Sequence, residues 1–401
     1  MEHSSGSFHP RQARPEDIVR LVAIHTTAFP DERGHQARVY NFTRNVLGGL
    51  DDLWVLEERG VVVAHAFLFA LEAWFGGSRV RVGGAATLGV APEARGRGAG
   101  SSLMRHLHGV ASARGDALVV LYPFRQGFYA RLGYATVAPH VRVRLDPRAI
   151  PWRVDGPLRT ASGDDRAILG ALWDAACADG TGGLVRSPAV WEARLLDERR
   201  TWLVAEGPDG PEGYLAWTIR PRRSGKGATL VVRELVARSD RARRSLWGAI
   251  GAQRDQVSVV RASVAGDDPI LAAVLDGAPP RAGEDSLEHV VGEVVAGPMV
   301  RITDAAAALA ARGWPRPGDL VLSVEGEKLL LCASGGRATA TPTQREADVS
   351  VDRTTLAAMA FGGLSASSAA ALGRLDARSA RSLAASDALF ACPPYFSPDT
   401  F

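Results

Sequence analysis

A glycine-rich turn between an apolar strand and a helix is the strongest chemical signal in this sequence. Residues 87–103 read TLGVAPEARGRGAGSSL, with a strand predicted to end at Val90 and a helix to begin near Gly98. The first N–H groups of a helix lack partners within the helix, and the helix dipole favours anions there. Glycine lets a phosphate approach the backbone closely, and Arg95 and Arg97 add cationic donors. This arrangement suits a pyrophosphate, whereas the alternative is an arginine-rich surface turn.

The spacing of these glycines argues against two other nucleotide sites. No Lys-Ser or Lys-Thr pair follows them, which excludes a P-loop. The segment 96–100 does not give the GxGxxG pattern, and no early βαβ unit precedes it, which weakens the case for a Rossmann site.

A second cluster, rich in aromatic residues, follows at residues 122–134, which read YPFRQGFYARLGY. Tyr129 is predicted to lie in a short helix and Tyr134 in the core. A phenol with a pKa of about 10 is protonated at neutral pH. It can therefore act as a proton donor in general acid catalysis. The alternative for Tyr129 is ordinary packing.

The elements that must position these residues alternate between strands and helices. The first segment predicts a helix over 18–29, strands over 53–57, 61–70 and 80–90, a helix over 98–114, a strand over 117–122, a helix over 127–132 and a strand over 134–145. The same order recurs with a helix after Asp164 and Asp165, strands over 202–206, 214–219 and 229–237, a helix over 240–254 and a strand over 257–262. This recurrence indicates an internal duplication.

The character of the sequence changes after residue 297. An alanine-rich helix is predicted over 304–312, followed by strands over 320–324, 328–333 and 348–352 and by helices to about 389. The fold class is therefore α+β (mixed α/β). We expect domains at 1–150, 151–295 and 296–401.

The motif Arg95-x-x-Gly98-x-Gly100 after Val-Ala-Pro resembles motif A of the GCN5-related N-acetyltransferases (GNAT), and the F-Y-x-R-x-G-Y pattern is similar to a second motif of that family. In that family the strand pairs with the pantetheine arm, the loop holds the CoA pyrophosphate, and a tyrosine, here Tyr129, lies beside the sulfur. The resemblance implies acetyl-CoA as co-substrate. It assigns cofactor binding to Leu88, Gly89, Val90, Arg95, Gly96, Arg97, Gly98, Ala99, Gly100, Ser101, Phe124 and Arg125.

The whole chain resembles the Eis (enhanced intracellular survival) subfamily, with two tandem GNAT-like domains and a sterol-carrier-like C-terminal domain carrying the segment DVSVDR at 348–353. The resemblance implies N-acetylation of amines such as aminoglycosides, with Tyr129 as general acid and the Phe401 carboxylate as general base. Asp31 matches a loop position for a cationic substrate, or is a surface acid. The alternatives are acetylation of protein lysines and lipid binding by the third domain without catalysis. A homohexamer is implied.

The middle domain has no glycine pair in its corresponding segment, RSDRARR at 238–244, so we expect it to bind no cofactor.

Composition sets the remaining expectations. A net charge of +3 gives no reason to expect a nucleic-acid partner, and three cysteines without CxxC spacing argue against zinc and disulfides. The apolar run 61–75 is too short to span a membrane, and residues 1–17 lack the apolar core of a signal peptide. We therefore expect a cytoplasmic protein without a metal.

Overall fold

The computed structural model describes residues 8–30, 34–137, 139–195, 197–222, 227–274 and 290–401. The chain divides into two compact units. The first comprises residues 1–137, 298–391 and 400–401, and the second comprises 138–297 and 392–399. The predicted limits near 150 and 295 stay predictions, but the chain leaves the first unit and later returns to it, which the sequence did not indicate.

The first segment of the first unit has the alternating order that the sequence predicts, with a further helix before the first hairpin. Its elements are β1 His9–Gln12, α1 Ile18–Ala28, α2 His35–Thr43, β2 Leu53–Glu58, β3 Val61–Phe75, β4 Ser78–Val90, α3 Ala99–Arg114, β5 Leu118–Leu121, α4 Gln126–Ala130 and β6 Ala135–Thr136. Alternate residues of the strands face opposite sides of the sheet. Leu103 and Leu107 of α3 pack on one side with Leu56, while Leu21 of α1 and Phe42 of α2 belong to the cluster on the other side.

The second unit repeats the helix, hairpin, strand, helix and strand of the first. Its elements are β7 His140–Leu145, β8 Leu158–Thr160, α5 Arg166–Ala178, β9 Thr181–Leu184, α6 Pro188–Leu195, β10 Thr201–Gly207, β11 Gly210–Pro221, β12 Ala228–Ala237, α7 Asp240–Gly251, β13 Val257–Val264, α8 Ile270–Ala273 and β14 Gly292–Val295. The strands follow the order β14-β7-β13-β12-β11-β10-β8, and β12 and β13 are parallel.

The chain then returns to the first unit and adds a smaller α+β part. Its elements are β15 Met299–Ile302, α9 Ala305–Ala311, β16 Gly318–Val324, β17 Glu327–Ser334, β18 Arg337–Pro342, β19 Val349–Val351, α10 Arg353–Gly362, α11 Ala366–Ala371, β20 Leu375–Ala377 and α12 Ala380–Phe390. Five of these strands form a sheet in the order β18-β17-β16-β19-β20.

Strand β15 completes the sheet of the first segment. The order there is β1-β2-β3-β4-β5-β15-β6, and β15 pairs antiparallel with β5 from Met299 opposite Leu121 to Ile302 opposite Leu118. The single strand predicted over 134–145 is wrong. Residues 135–136 pair with β15, whereas β7 pairs with β13 and β14 of the second unit. The partners of both pieces lie far away along the chain, so local sequence could not separate them.

A repeated ion-pair triad supports the duplication. In the first unit the Arg11 guanidinium contacts the carboxylates of Asp17 at 2.7 Å and Glu57 at 2.6 Å. In the second unit Arg159 contacts Asp165 at 2.8 Å and Glu206 at 2.7 Å. In both units the Arg and Asp are six positions apart. Arg11 lies on β1 and Arg159 on β8, and Asp17 and Asp165 directly precede α1 and α5. The two triads tie the same three elements together in the same way.

Helices α7 and α9 to α12 each begin at a side chain that accepts a backbone hydrogen bond. Ser239, Asp304, Asp352, Ser365 and Ser379 each accept from the N–H three residues later. Such caps satisfy one of the N–H groups that a helix start leaves unpaired. Helix α3 begins instead at a glycine, with no side-chain hydrogen bond at its cap.

Candidate active site

The central strands β4 and β5 pair over only part of their length. Parallel pairing joins residues 82–84 of β4 to 118–120 of β5, while β4 continues to Val90. On the other side of β4 the register with β3 shifts between His65 and Phe67, and Thr87 has φ of 49°. A positive φ at a β-branched residue is strained, and an extra residue in one strand bends it. The backbone of Leu88, Gly89 and Val90 therefore lies beyond the last residue pair with β5.

The buried side chain of His65 leaves room only for glycine at position 89. A Cβ on Gly89 would lie 2.5 Å from Nε2 of His65, whose side chain is fully buried. Burial, with a smaller contribution from His25, lowers the pKa of His65 to about 3. The His65 ring is therefore neutral at pH 7. It packs directly against Gly89, so β3 and β4 lie close together here, and the neutral ring places no charge beside the edge of β4.

The start of α3 has the properties of an anion site. Gly98 has φ of 86°, a left-handed conformation that glycine adopts without strain, and the helix begins at Ala99. The N–H of Ser102 donates to the carbonyl of Gly98 at 2.9 Å, so the preceding N–H groups, those of Ala99, Gly100 and Ser101, have no acceptor within the helix. A Cβ at Gly98 would meet no atom within 4 Å, so this surface is open.

The arginines of this turn already have partners. Arg95 donates to the carbonyls of Val90 at 3.2 Å and Thr27 at 3.0 Å, and so ties the turn to α1. Arg97 forms a two-pronged ion pair with Glu58, with one Nη1–Oε2 distance of 2.9 Å, and hydrogen bonding from Arg97 lowers the pKa of Glu58. Their role as pyrophosphate donors stays a prediction. Arg97 could contact a phosphate only by exchanging its contact with Glu58.

Tyr129 lies on α4 within an aromatic cluster. Its ring packs edge-on against Phe128, Phe124 and Tyr134, with centroid distances of 4.9, 5.6 and 5.8 Å. Tyr129 is buried, and burial raises the pKa of its phenol above its ordinary value, so it is protonated at neutral pH. Phe124 is 68% exposed, and the neighbouring Arg125 is also exposed.

Tyr134 is in the core, as predicted from the sequence, and is 1% exposed. Its hydroxyl and Nε2 of His108 are hydrogen-bonded at 2.9 Å. Tyr129 and Tyr134 therefore differ in their polar surroundings, although both belong to the same cluster.

Phe401 lies where the pairing of β4 and β5 ends. Its ring makes an edge contact with Tyr122, the residue after β5, at a centroid distance of 5.4 Å. A Cβ on Gly84 would lie 3.1 Å from Cε2 of Phe401.

Tyr122, Thr87 and Glu58 were not identified from the sequence. Tyr122 carried a usable signal, since it directly follows the apolar strand. Asp31 lies outside the described residues.

Comparison with known proteins accounts for this arrangement. Residues 9–137 and 182–302 each match the family described as an acetyltransferase (GNAT) domain, and 305–397 match a sterol carrier protein domain. The N-acetyltransferase Eis of Mycobacterium tuberculosis is 27% identical over 332 residues, which are 77% of either chain. The chain belongs to the GCN5-related N-acetyltransferases and is similar to Eis over most of its length.

Solved structures share the fold. A GCN5-related N-acetyltransferase from Anabaena variabilis is 24% identical, with a TM-score of 0.85 over 98% of this chain and 100% of its own. Eis1 from Mycobacterium abscessus is 22% identical, with a TM-score of 0.79 over 98% and 100%. The predicted fold class is confirmed, as are the two expected GNAT-like domains. The protein is an acetyl-CoA-dependent N-acetyltransferase that acts on amines.

The second unit of this enzyme has a different helix start at the corresponding place. At the N-terminus of α7 the Ser239 hydroxyl accepts from the N–H of Ala242 at 3.1 Å, and Asp240 adds a negative charge to the first turn. Arg238 and Arg241 form ion pairs with Asp179 at 2.5 Å and Glu212 at 3.0 Å. These features disfavour a bound pyrophosphate and support the prediction that this unit binds no cofactor.

Two negative observations concern only the residues with described positions. Within those ranges, no group of three or more His, Cys, Asp or Glu side chains is arranged to hold a metal ion. None of the helices in the same ranges combines the length and apolar character needed to cross a membrane.

Proposed function

We propose that the enzyme acetylates primary amines of small cationic molecules such as aminoglycosides, at the place in the first unit where β4 and β5 stop pairing. The position of Phe401 carries this proposal. Its ring packs on Gly84 of β4 and on Tyr122 after β5, within the same unit as Tyr129 and the α3 turn. Aminoglycosides are the acceptor class that the family resemblance of the sequence implies.

The α-carboxylate of Phe401 serves as the general base. An alkyl amine has a pKa of about 10 by analogy with lysine, so it is mostly protonated at pH 7 and must lose a proton to attack. An α-carboxylate has a pKa of about 3.3–3.7 and is therefore ionised and able to accept that proton, directly or through water. Its negative charge also attracts a cationic substrate.

Tyr129 serves as the general acid. As the new C–N bond forms, the C–S bond of the thioester breaks and leaves a thiolate. The Tyr129 phenol, kept protonated by burial, donates its proton to that sulfur. The first ammonium proton thus goes to Phe401 and from there to solvent. The second leaves the nitrogen as the amide forms and replaces the proton that Tyr129 gives to the sulfur. The products are an amide, a free thiol and one proton.

Acetyl-CoA is held by the β4 edge and the α3 turn. Leu88, Gly89 and Val90 lie beyond the pairing with β5, so the pantetheine arm can pair with this edge of β4, and the first N–H groups of α3 can bind the pyrophosphate. The exposed Phe124 and Arg125 flank the aromatic cluster and complete the predicted cofactor contacts.

A thiol-release assay with acetyl-CoA tests the acceptor class. We expect faster release with an aminoglycoside than with a lysine-containing peptide at equal amine concentration, and none without amine. Faster release with the peptide would favour protein lysines. Absence of release, together with displacement of a fluorescent lipid, would favour the lipid-binding alternative. A hexameric assembly and a cytoplasmic location stay predictions, which gel filtration with light scattering and cell fractionation would test.

A further inference from the structure

Strand β4 contains a residue whose backbone conformation is unfavourable for its type. Among the described residues, the non-glycine residues with positive φ are Arg59, Thr87 and Glu325. Arg59 and Glu325 lie in the tight turns of the hairpins β2–β3 and β16–β17, where such values are common. Thr87, with φ of 49°, lies inside a strand instead. Its branched side chain makes this conformation costly, so the surrounding structure must hold it in place.

The conformation of Thr87 belongs to a β-bulge. Residues 65 and 67 of β3 lie opposite residues 89 and 86 of β4, so residue 66 alone faces both Thr87 and Leu88. A bulge bends its strand and re-aims a side chain, and bulges are common beside active sites. This one lies beyond Gly84, the last residue of β4 that pairs with β5. Thr87 is therefore at the place where β4 and β5 stop pairing.

The hydroxyl oxygen of Thr87 is buried and makes no hydrogen bond within the described part of the chain. Most buried hydroxyls do have a partner, because removing a polar group from water without one destabilises the fold. The Thr303 hydroxyl, for example, donates to the carbonyl of Ala117, just before β5, at 2.9 Å. Thr87 thus combines a strained backbone with a hydroxyl that can still donate a hydrogen bond. Both features are typical of residues that take part in a reaction.

Thr87 lies between the positions proposed for the two reactants, all within the first unit. On one side is Gly84, where a Cβ would lie 3.1 Å from the ring of Phe401, the proposed base for the amine. On the other side is Leu88, the first residue of the proposed cofactor edge, and a Cβ on Gly100 of the α3 turn would lie 3.8 Å from its side chain. The thioester carbon ends the pantetheine arm and receives the amine. The residue between the two positions is therefore the one we expect beside the thioester.

We propose that Thr87 is a further catalytic residue, whose side-chain hydroxyl donates a hydrogen bond to the carbonyl oxygen of the acetyl thioester. The proposal rests on the reaction site proposed above, but it applies to any acceptor amine, because the hydroxyl contacts the acetyl group.

The hydroxyl acts while the carbonyl oxygen carries negative charge. When the amine lone pair forms the C–N bond, the π electrons of the C=O bond move to the oxygen. The Thr87 O–H stabilises this charge by its hydrogen bond and keeps its proton. When the electron pair returns to the carbon, the C–S bond breaks and the sulfur leaves, so the hydroxyl is not consumed. A donor placed where charge develops lowers the barrier more than one that contacts the substrate elsewhere.

Substitution Thr87→Val in the full-length enzyme tests this role, since valine has the same shape without the hydroxyl. Loss of one donor to a developing oxyanion lowers kcat by about a hundred- to a thousand-fold. The dissociation constant of acetyl-CoA should stay close to wild type. The melting temperature should not fall, because the lost hydroxyl has no partner in the described structure.

Infrared difference spectroscopy gives a second readout without turnover. Acetyl-CoA labelled with ¹³C at the carbonyl is bound to each protein in the absence of an amine, and the C=O stretching frequency is measured. A hydrogen bond to the carbonyl oxygen lowers this frequency. The frequency should therefore be higher in the Thr87→Val complex than in the wild-type complex, independently of Tyr129 and Phe401.

Two further variants make the result specific. Thr87→Ser retains the hydroxyl and should keep much of kcat and the low C=O frequency. Thr303→Val is the matched control, because it removes the hydroxyl of a threonine whose hydrogen bonds are already made within the protein. It should lower the melting temperature and leave kcat and the C=O frequency of the folded enzyme unchanged.

The outcomes separate the role of Thr87 from the proposed acceptor class. Wild-type kcat in the Thr87→Val variant would overturn the proposal, and so would an unchanged C=O frequency. Loss of kcat that accompanies a lower melting temperature and is not restored by Thr87→Ser would reduce Thr87 to a structural residue. If the wild-type enzyme acetylates a lysine peptide and no aminoglycoside, the acceptor proposal fails. The ratio of kcat between variant and wild type, measured with the peptide, then still decides the role of Thr87.

Discussion

Replacing Tyr129 by phenylalanine removes the proposed proton donor and keeps the ring. The ring makes three edge contacts in the aromatic cluster, and phenylalanine preserves all of them. General acid catalysis contributes about a hundred- to ten-thousand-fold in rate, so kcat should fall within that range. Cofactor affinity should stay unchanged, because the Tyr129 hydroxyl is not among the proposed binding contacts with CoA, which come from β4, the α3 turn, Phe124 and Arg125.

Tyr134→Phe is the matched control, five positions further along the same cluster. It removes the hydroxyl that is hydrogen-bonded to the buried Nε2 of His108. A buried polar atom left without a partner costs about 1–3 kcal/mol in the free energy of unfolding. The two variants should therefore give opposite results: Tyr129→Phe loses kcat and keeps stability, whereas Tyr134→Phe loses stability and keeps kcat.

The assay combines thiol release across pH with thermal unfolding. Burial raises the pKa of Tyr129 above its ordinary value of about 10, so the phenol keeps its proton through neutral and mildly alkaline pH. The wild-type kcat should therefore show no decline below about pH 10 from ionisation of this group. Wild-type kcat in a folded Tyr129→Phe variant would refute the role of general acid. Equal losses of activity in both variants would point to packing instead.

Three further predictions concern the cofactor and the chain end. Gly98→Glu places a side chain at φ of 86° and a negative charge at the α3 turn. The affinity for acetyl-CoA, measured by calorimetry, should therefore fall at least about ten-fold. An unchanged affinity in a folded variant would show that the pyrophosphate does not bind at this turn. Because Ser239 and Asp240 occupy the start of α7, titration should give one acetyl-CoA per chain, and two equivalent sites would contradict our interpretation of the second unit. Adding a few glycines after Phe401 should abolish most turnover and leave acetyl-CoA binding intact; normal kcat in the extended protein would exclude the carboxylate as base.

The features that the sequence predicted well are those set by neighbours along the chain. The helix that follows the glycine-rich turn, the apolar strands on either side of it and the buried Tyr134 all depend on local periodicity or turn residues. The repeated order of elements was visible for the same reason. The predicted helix over 98–114 differs from α3 by a single residue at its start.

Features that depend on distant partners were not visible. The ion pair between Arg186 and Asp399 joins residues 213 positions apart, and Arg97 meets Glu58 across 39 positions. Both arginines are typical surface residues by type, and nothing near them in the sequence reveals a carboxylate partner. The bulge at Thr87 was missed because threonine is common in regular strands, and its positive φ comes from the register between β3 and β4.

The late arrival of β15 in the first sheet has a consequence for folding during synthesis. Until the ribosome has produced residues 299–302, β5 lacks the neighbour it has in the finished sheet. An unpaired strand edge invites association with other chains, and pairing across a long intervening segment is slow. The second unit, whose sheet strands all lie between residues 140 and 295, can complete its sheet first. The first unit is therefore the last of the two to complete its sheet, and we expect a fragment that ends at residue 137 to be prone to aggregation.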